Sequence, residues 1–138
     1  MYTERDIIRL RNSARHYELD AGDYFWAEKP ITLTRICNGA GPESWSDISR
    51  SILTNNPFMK RYESAFAIHD TDYEFKHCTK KQADKRFLKN MLKIWKRDFG
   101  WKAYLTISGL LELRTIIACY LAVIAGGQSA WENGGNSE

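Results

Sequence analysis

Cysteine is scarce: the 138 residues include only three, Cys37, Cys78 and Cys119, odd in number and widely spaced. That pattern excludes a secreted disulfide framework and points to a reducing compartment. No signal peptide is legible, because the opening MYTERDIIRLRNSAR sets acids and bases among its apolar positions. A membrane-crossing run is also lacking. The longest uncharged stretch, Thr115 to Trp131, falls short of the roughly 20 residues a span needs. It follows directly on Glu112 and Arg114 and closes on Gly126, Gly127, Gln128 and Ser129, so it reads as a buried core helix and no transmembrane span is expected. Excess charge of one sign is missing too. Twenty Lys and Arg against seventeen Asp and Glu leave a net charge of +3, too little to diagnose a polyanion partner. The glycine-rich NGAG is followed by no Gly-Lys-Ser/Thr and belongs to no GxGxxG, so ATP and NAD are unsupported. His16 and His77 have no partner at zinc-finger spacing, and Ser44, Ser46 and Ser49 sit in no nucleophile elbow.

What is present is apolar mass: 43% hydrophobic and 13% aromatic residues, with five Trp and seven Tyr, enough to fold without staples. The length favours one domain, residues 1–131, followed by a flexible polar tail, 132–138. Ile7, Leu10 and Ala14 predict an amphipathic helix over residues 3–15. The pattern then loosens around Asp20, Gly22 and Asp23, and Ile31, Leu33 and Ile36 read as a strand, giving a small β-hairpin with the stretch before it. CNGAGPESW, at 37–45, is a shaped loop, and Asp47 to Leu53 a brief helix.

Three longer helices follow. Arg61 to Lys76 repeats Ala65, Ile68 and Asp72 beside Phe66, His69 and Tyr73 at helical spacing. Thr79 and Gln82 form a capping box for the next, whose apolar face carries Ala83, Phe87, Leu88, Met91, Ile94 and Trp95. Asp84 stands in the first turn of that face, where a carboxylate is unexpected. A break at Gly100 leads to a helix from Lys102 through Ala125, so densely apolar that most of its circumference should be covered, stopped by Gly126 and Gly127.

Chemistry gathers on AFAIHDTDYEF and ADKRF. His69 and Tyr73, four residues apart, share one helix face, while Asp70 points about 100 degrees away. Packing the two helices together brings Asp84 toward His69 and Tyr73, so that a buried carboxylate fixes the imidazole tautomer and leaves the other nitrogen to take a proton from water. Asp70 is then placed to ligate a hard cation, with carbonyls of the Gly39 to Gly41 loop completing an oxygen site for calcium. Each residue has a plainer alternative. Asp70 reads equally as a solvent-facing acid beside Asp72, Asp84 as an early-turn carboxylate favoured by the helix dipole, and Tyr73 as core packing. The runs KHCTKKQADKR and KNMLKIWKRDFGWK interleave bases with aromatics, as a phosphate-binding surface does or as a solvated face with snorkelling lysines does.

HDxxY on one helix, a later Ala-Asp pair on a second and a preceding GxG loop resemble the phospholipase A2 superfamily. The compact forms found as capsid-protein domains are nearer than the disulfide-rich secreted enzymes. The order NGAGPESW, AFAIHDTDYEF, ADKRFLKNMLKI and CYLAVIAGGQSAW is also similar to small bacteriophage and prophage proteins that embed the same pattern. The resemblance implies a mainly α fold of packed antiparallel helices with a small β-hairpin and a glycine-rich loop. It implies His69 as the catalytic base, Asp84 and Tyr73 as its supports, and Asp70, Gly39 and Gly41 as calcium ligands. The expected activity is calcium-dependent hydrolysis of phospholipid or related acyl esters at a membrane surface. The alternatives are a non-catalytic phage structural or host-interaction protein on the same scaffold, and a nucleic-acid-binding module using residues 76–97. The expected place is the host cytoplasm or the virion.

Overall fold

A computed structural model describes residues 2–37 and 57–133, and these are mainly α-helical, with no strand among the described residues. Helix α1, Glu4–His16, starts at a capping box in which Thr3 and Asp6 satisfy each other's backbone N–H, and it buries Ile7, Leu10 and Ala14. Two short helices follow, α2 at Asp23–Ala27 and α3 at Pro30–Ile36.

They replace the expected hairpin. Ile31, Leu33 and Ile36 do not alternate as a strand would, for Ile31 is exposed, whereas Leu33 and Cys37 are buried four residues apart. Pro30 supplies the reason: at the first helical position its missing N–H is no loss and its fixed φ is already helical. Arg11 holds this region down, donating from Nε to the carbonyl of Phe25 and from Nη2 to that of Glu28.

Helix α4, Pro57–Phe75, begins earlier than the periodicity indicates. A four-residue link leads to α5, Lys80–Phe99, opened by the Thr79/Gln82 capping box. Lys76 in that link takes a left-handed φ of 52°, which turns the chain sharply. The pairs across α4 and α5 run Tyr73 with Asp84 and Phe66 with Phe87, numbers moving in opposite directions, so the two helices are antiparallel. Gly100, at φ 58°, ends α5 in a conformation that a side chain resists. A 3-10 turn, Gly100–Tyr104, then leads to α6, Ile107–Gly126, and α7, Gln128–Asn133.

Helix α6 is also antiparallel to α5, since Trp95 Nε1 donates to the Gly109 carbonyl at 2.8 Å while Lys80 Nζ reaches the Val123 carbonyl at 3.1 Å. Helix α5 is therefore central, with α4 and α6 on its two sides, α1 and α3 lying against α4, and α7 returning to α4. One expectation about α6 needs correction. Helix α6 buries Gly109, Ile116, Cys119 and Val123 on one side only and leaves the other apolar side open. Helix α7 runs through Asn133, where the described residues end. The brief helix at Asp47 to Leu53, the Gly39 and Gly41 loop and residues 134–138 lie outside the described residues.

Candidate active site

The site lies where the middle of α4 faces the first turns of α5. Asp84 lands there because the Thr79 cap fixes where α5 begins, and a residue on the Ala83–Phe87 side of its first turn must face α4. His69 Nε2 lies 2.9 Å from Asp84 Oδ1, and the Tyr73 hydroxyl donates to the same oxygen at 2.7 Å. His69 is 1% exposed and its ring stacks on Phe87, with centroids 4.5 Å apart and planes 29° from parallel. The ring thus has one orientation. A neutral imidazole that donates from Nε2 to the carboxylate has its lone pair on Nδ1, the tautomer a general base requires.

Lys80 was not foreseen as a member of this cluster. Its ammonium donates to Asp84 Oδ2 at 2.7 Å and to the Val123 carbonyl at 3.1 Å, tying the start of α5 to the end of α6. The signal was present in the sequence as a Lys–Asp pair at i, i+4. Asp84 therefore accepts three hydrogen bonds while nearly out of solvent. Burial pushes its carboxyl up, but donation from His69, Lys80 and Tyr73 outweighs that, and the group sits below its ordinary value. Burial also drives the Tyr73 phenol well above its ordinary value, reinforced by the bond to Asp84, so it stays a donor.

Asp70 is largely buried on a different side of α4. Its charge acts on the Cys37 thiol, which burial already raises, and on the Tyr2 phenol. Cys37 Sγ meets the carbonyl of Ala67 at 3.7 Å, one helical turn from Asp70. Gly39 and Gly41, the other expected calcium ligands, lie outside the described residues. Among the described residues no three His, Cys, Asp or Glu side chains gather as a metal cluster.

The reading of Asp70 as a solvent-facing acid does not hold, since it is largely buried, and its neighbour Asp72 is completely buried. Asp72 accepts from the Tyr24 hydroxyl and from Arg86 Nη1 at 2.8 Å, and Arg86 Nε continues to Asp20 at 3.1 Å. Burial raises its carboxyl despite those donors. Its place on the Ala65–Ile68 face was the available signal. A groove of about 380 Å³ opens beside the cluster, between Lys80, Lys81 and Asp84 on α5 and Tyr120 and Ile124 on α6. Comparison of the chain with protein-family models, curated proteins and solved structures gives no match.

Proposed function

We propose that this chain hydrolyses the acyl ester of a phospholipid, or a related ester, with calcium as cofactor and water as the nucleophile. The observation that carries the reading is the buried His69–Asp84–Tyr73 cluster, with contacts of 2.9 and 2.7 Å to one carboxylate oxygen. His69 Nδ1 takes a proton from water as the oxygen attacks the ester carbonyl carbon, then returns it to the departing alkoxide, giving a fatty acid and a lysophospholipid. Asp84 holds the tautomer and stabilises the imidazolium, while Tyr73 and Lys80 hold Asp84 in place.

Asp70 and the carbonyls of Gly39 and Gly41 are the residues that would hold calcium. A carboxylate is a hard oxygen donor of the kind that ion takes, and backbone carbonyls are the same kind of donor. When bound, the ion polarises the ester carbonyl and stabilises the developing oxyanion.

One observation favours the scaffold reading. At 1% exposure His69 is as buried as a core residue, and the cluster serves equally to lock α4 onto α5 in a phage structural or host-interaction protein. Nucleic-acid binding by residues 76–97 is less favoured, because Lys80 is committed to Asp84, and Arg86 to Asp72 and Asp20.

The test is fatty-acid release from phosphatidylcholine and phosphatidylglycerol vesicles, with calcium and with chelator. Release that needs calcium and disappears in His69→Gln, while calorimetry shows calcium binding weakened by Asp70→Asn, supports the enzyme. A folded protein that neither binds calcium nor releases fatty acid sinks it and leaves the scaffold.

A further inference from the structure

All but Ile8 and Ile31 of the exposed large hydrophobic side chains among the described residues fall between Trp101 and Ile124. On α6, Ile107, Leu110, Ile117, Leu121 and Ile124 recur at helical spacing along one side, with Arg114 in the middle of the row. Ile107 is 79% exposed and Leu121 56%. The row continues onto the 3-10 turn through Trp101, Tyr104 and Leu105. At its other end Ile124 and Tyr120 line the groove beside Asp84, as does Lys81.

Charge narrows the choice of what covers this face. Lys102 lies at the aromatic end, its Nζ 5.6 Å from the Trp101 ring centre, and Arg114 is exposed at the centre. The one acid between Trp101 and Trp131 is Glu112, which pairs with Arg61 at 2.7 Å and is largely covered. A second copy of the chain would bring to Arg114 a face with the same cations and no free carboxylate. An anionic phospholipid surface instead offers hydrocarbon to the isoleucines and leucines, phosphate to Arg114, Lys102 and Lys81, and a headgroup layer to Trp101 and Tyr104.

We infer that α6 and the 3-10 turn form a docking face that seats this protein on an anionic lipid surface, with α6 lying in the plane of the interface. The helix is long and apolar enough to cross a bilayer, but its inner side is already occupied. Spanning would strip Ile116, Cys119 and Val123 from the core and break the Trp95–Gly109 and Lys80–Val123 bonds. An interfacial helix keeps them all. The inference shares with the proposed function only its lipid partner and does not need His69 to act.

The test is co-sedimentation of the full chain with phosphatidylcholine vesicles, with and without phosphatidylglycerol, in chelator so that no calcium-dependent turnover intervenes. Binding is expected to be roughly tenfold or more tighter with the anionic lipid, and to weaken as salt rises. Ile117→Glu with Leu121→Glu should reduce binding at least about tenfold, since each puts a charge where hydrocarbon is expected. If circular dichroism shows that pair misfolded, Trp101→Ser, at a 73% exposed side chain, serves instead and should also weaken binding. His69→Gln should bind as the parent does. No partition to either vesicle overturns the inference. So does a dimer in sedimentation equilibrium that Ile117→Glu with Leu121→Glu splits, which would give the face to a second copy. Vesicle binding by a protein that releases no fatty acid when calcium is supplied leaves docking standing and removes the enzyme; hydrolysis of a monomeric short-chain phospholipid in calcium without vesicle binding does the reverse.

Discussion

Replacing Asp84 by Asn keeps the shape of the side chain and removes its charge. Oδ1 accepts from His69 at 2.9 Å and Tyr73 at 2.7 Å, and Oδ2 accepts from Lys80 at 2.7 Å. An amide has one acceptor oxygen. If that oxygen keeps the His69 and Tyr73 position, the new NH2 group faces the Lys80 ammonium, donor against donor. A hydrogen bond to a charged group is worth about 1.5 to 3 kcal/mol, and the two surviving bonds lose the part that the charge supplied. Lys80 is 17% exposed and can turn part of the way to water, which trims the loss. The expected destabilisation is about 2 to 3 kcal/mol at neutral pH, read by urea unfolding under far-UV circular dichroism. Tyr73→Phe alone should cost about 1 to 1.5 kcal/mol, and less when combined with Asp84→Asn because both changes act on one oxygen. The pH dependence has a definite sign. The folded Asp84 carboxyl lies below its ordinary value of 3.8, so its contribution is whole above that value and is lost as pH falls through the folded one. The gap between parent and Asp84→Asn should therefore close on acidification. A variant within about 0.5 kcal/mol of the parent at neutral pH would show that the three bonds merely replace equivalent bonds to water, and the reasoning would fail.

Other substitutions probe the same region. Gly127→Ala places a Cβ 2.7 Å from the Tyr73 hydroxyl and 2.4 Å from the Val123 carbonyl, so it should cost about 1 to 3 kcal/mol and be less than additive with Tyr73→Phe in the same unfolding assay. Asp72→Asn should cost less than Asp84→Asn at neutral pH. The Asp72 carboxyl is raised by burial, so charging it opposes folding, and that penalty appears as pH rises through the range above its ordinary value. Equal losses for the two variants across pH would contradict the opposite shifts. His69→Gln should abolish calcium-dependent fatty-acid release without unfolding the chain, and Asp70→Asn should weaken calcium binding in calorimetry.

The helices around the site were readable in the sequence because each had a local marker. Thr79 and Gln82 announced the start of α5, and from that start the position of Asp84 on the α4-facing side follows by counting. His69 and Tyr73 sharing a face is equally a matter of spacing. Lys80 and Asp72 were harder to place because their roles depend on distant partners. The second bond of Lys80 goes to Val123, 43 positions along, and Asp72 is held by Tyr24, 48 positions back. Nothing local to either residue names those partners. Helix α3 misled for a different reason: its few apolar residues fit a strand and a helix alike, and the proline that decides between them lies at the edge of the pattern.

Helix α6 exposes the limit of reading burial from composition. An all-round apolar helix is ordinarily a buried one, since apolar surface left in water is unfavourable at about 25 cal/mol per Å². Whether it can be buried depends on how many neighbours the chain supplies, and that is a property of the arrangement rather than of the segment. Helix α5 has α4 on one side and α6 on the other, so its apolar residues are covered. Helix α6 closes the row, packing chiefly on α5, the 3-10 turn and α7, with Glu112 reaching Arg61 on α4. Gly109, Ile116, Cys119 and Val123 take up that contact, and the isoleucines and leucines opposite them stay about half exposed or more. The side that the sequence led one to expect covered is thus left open by the packing order, and Arg114, set in the middle of the row, suits the anionic lipid surface inferred above.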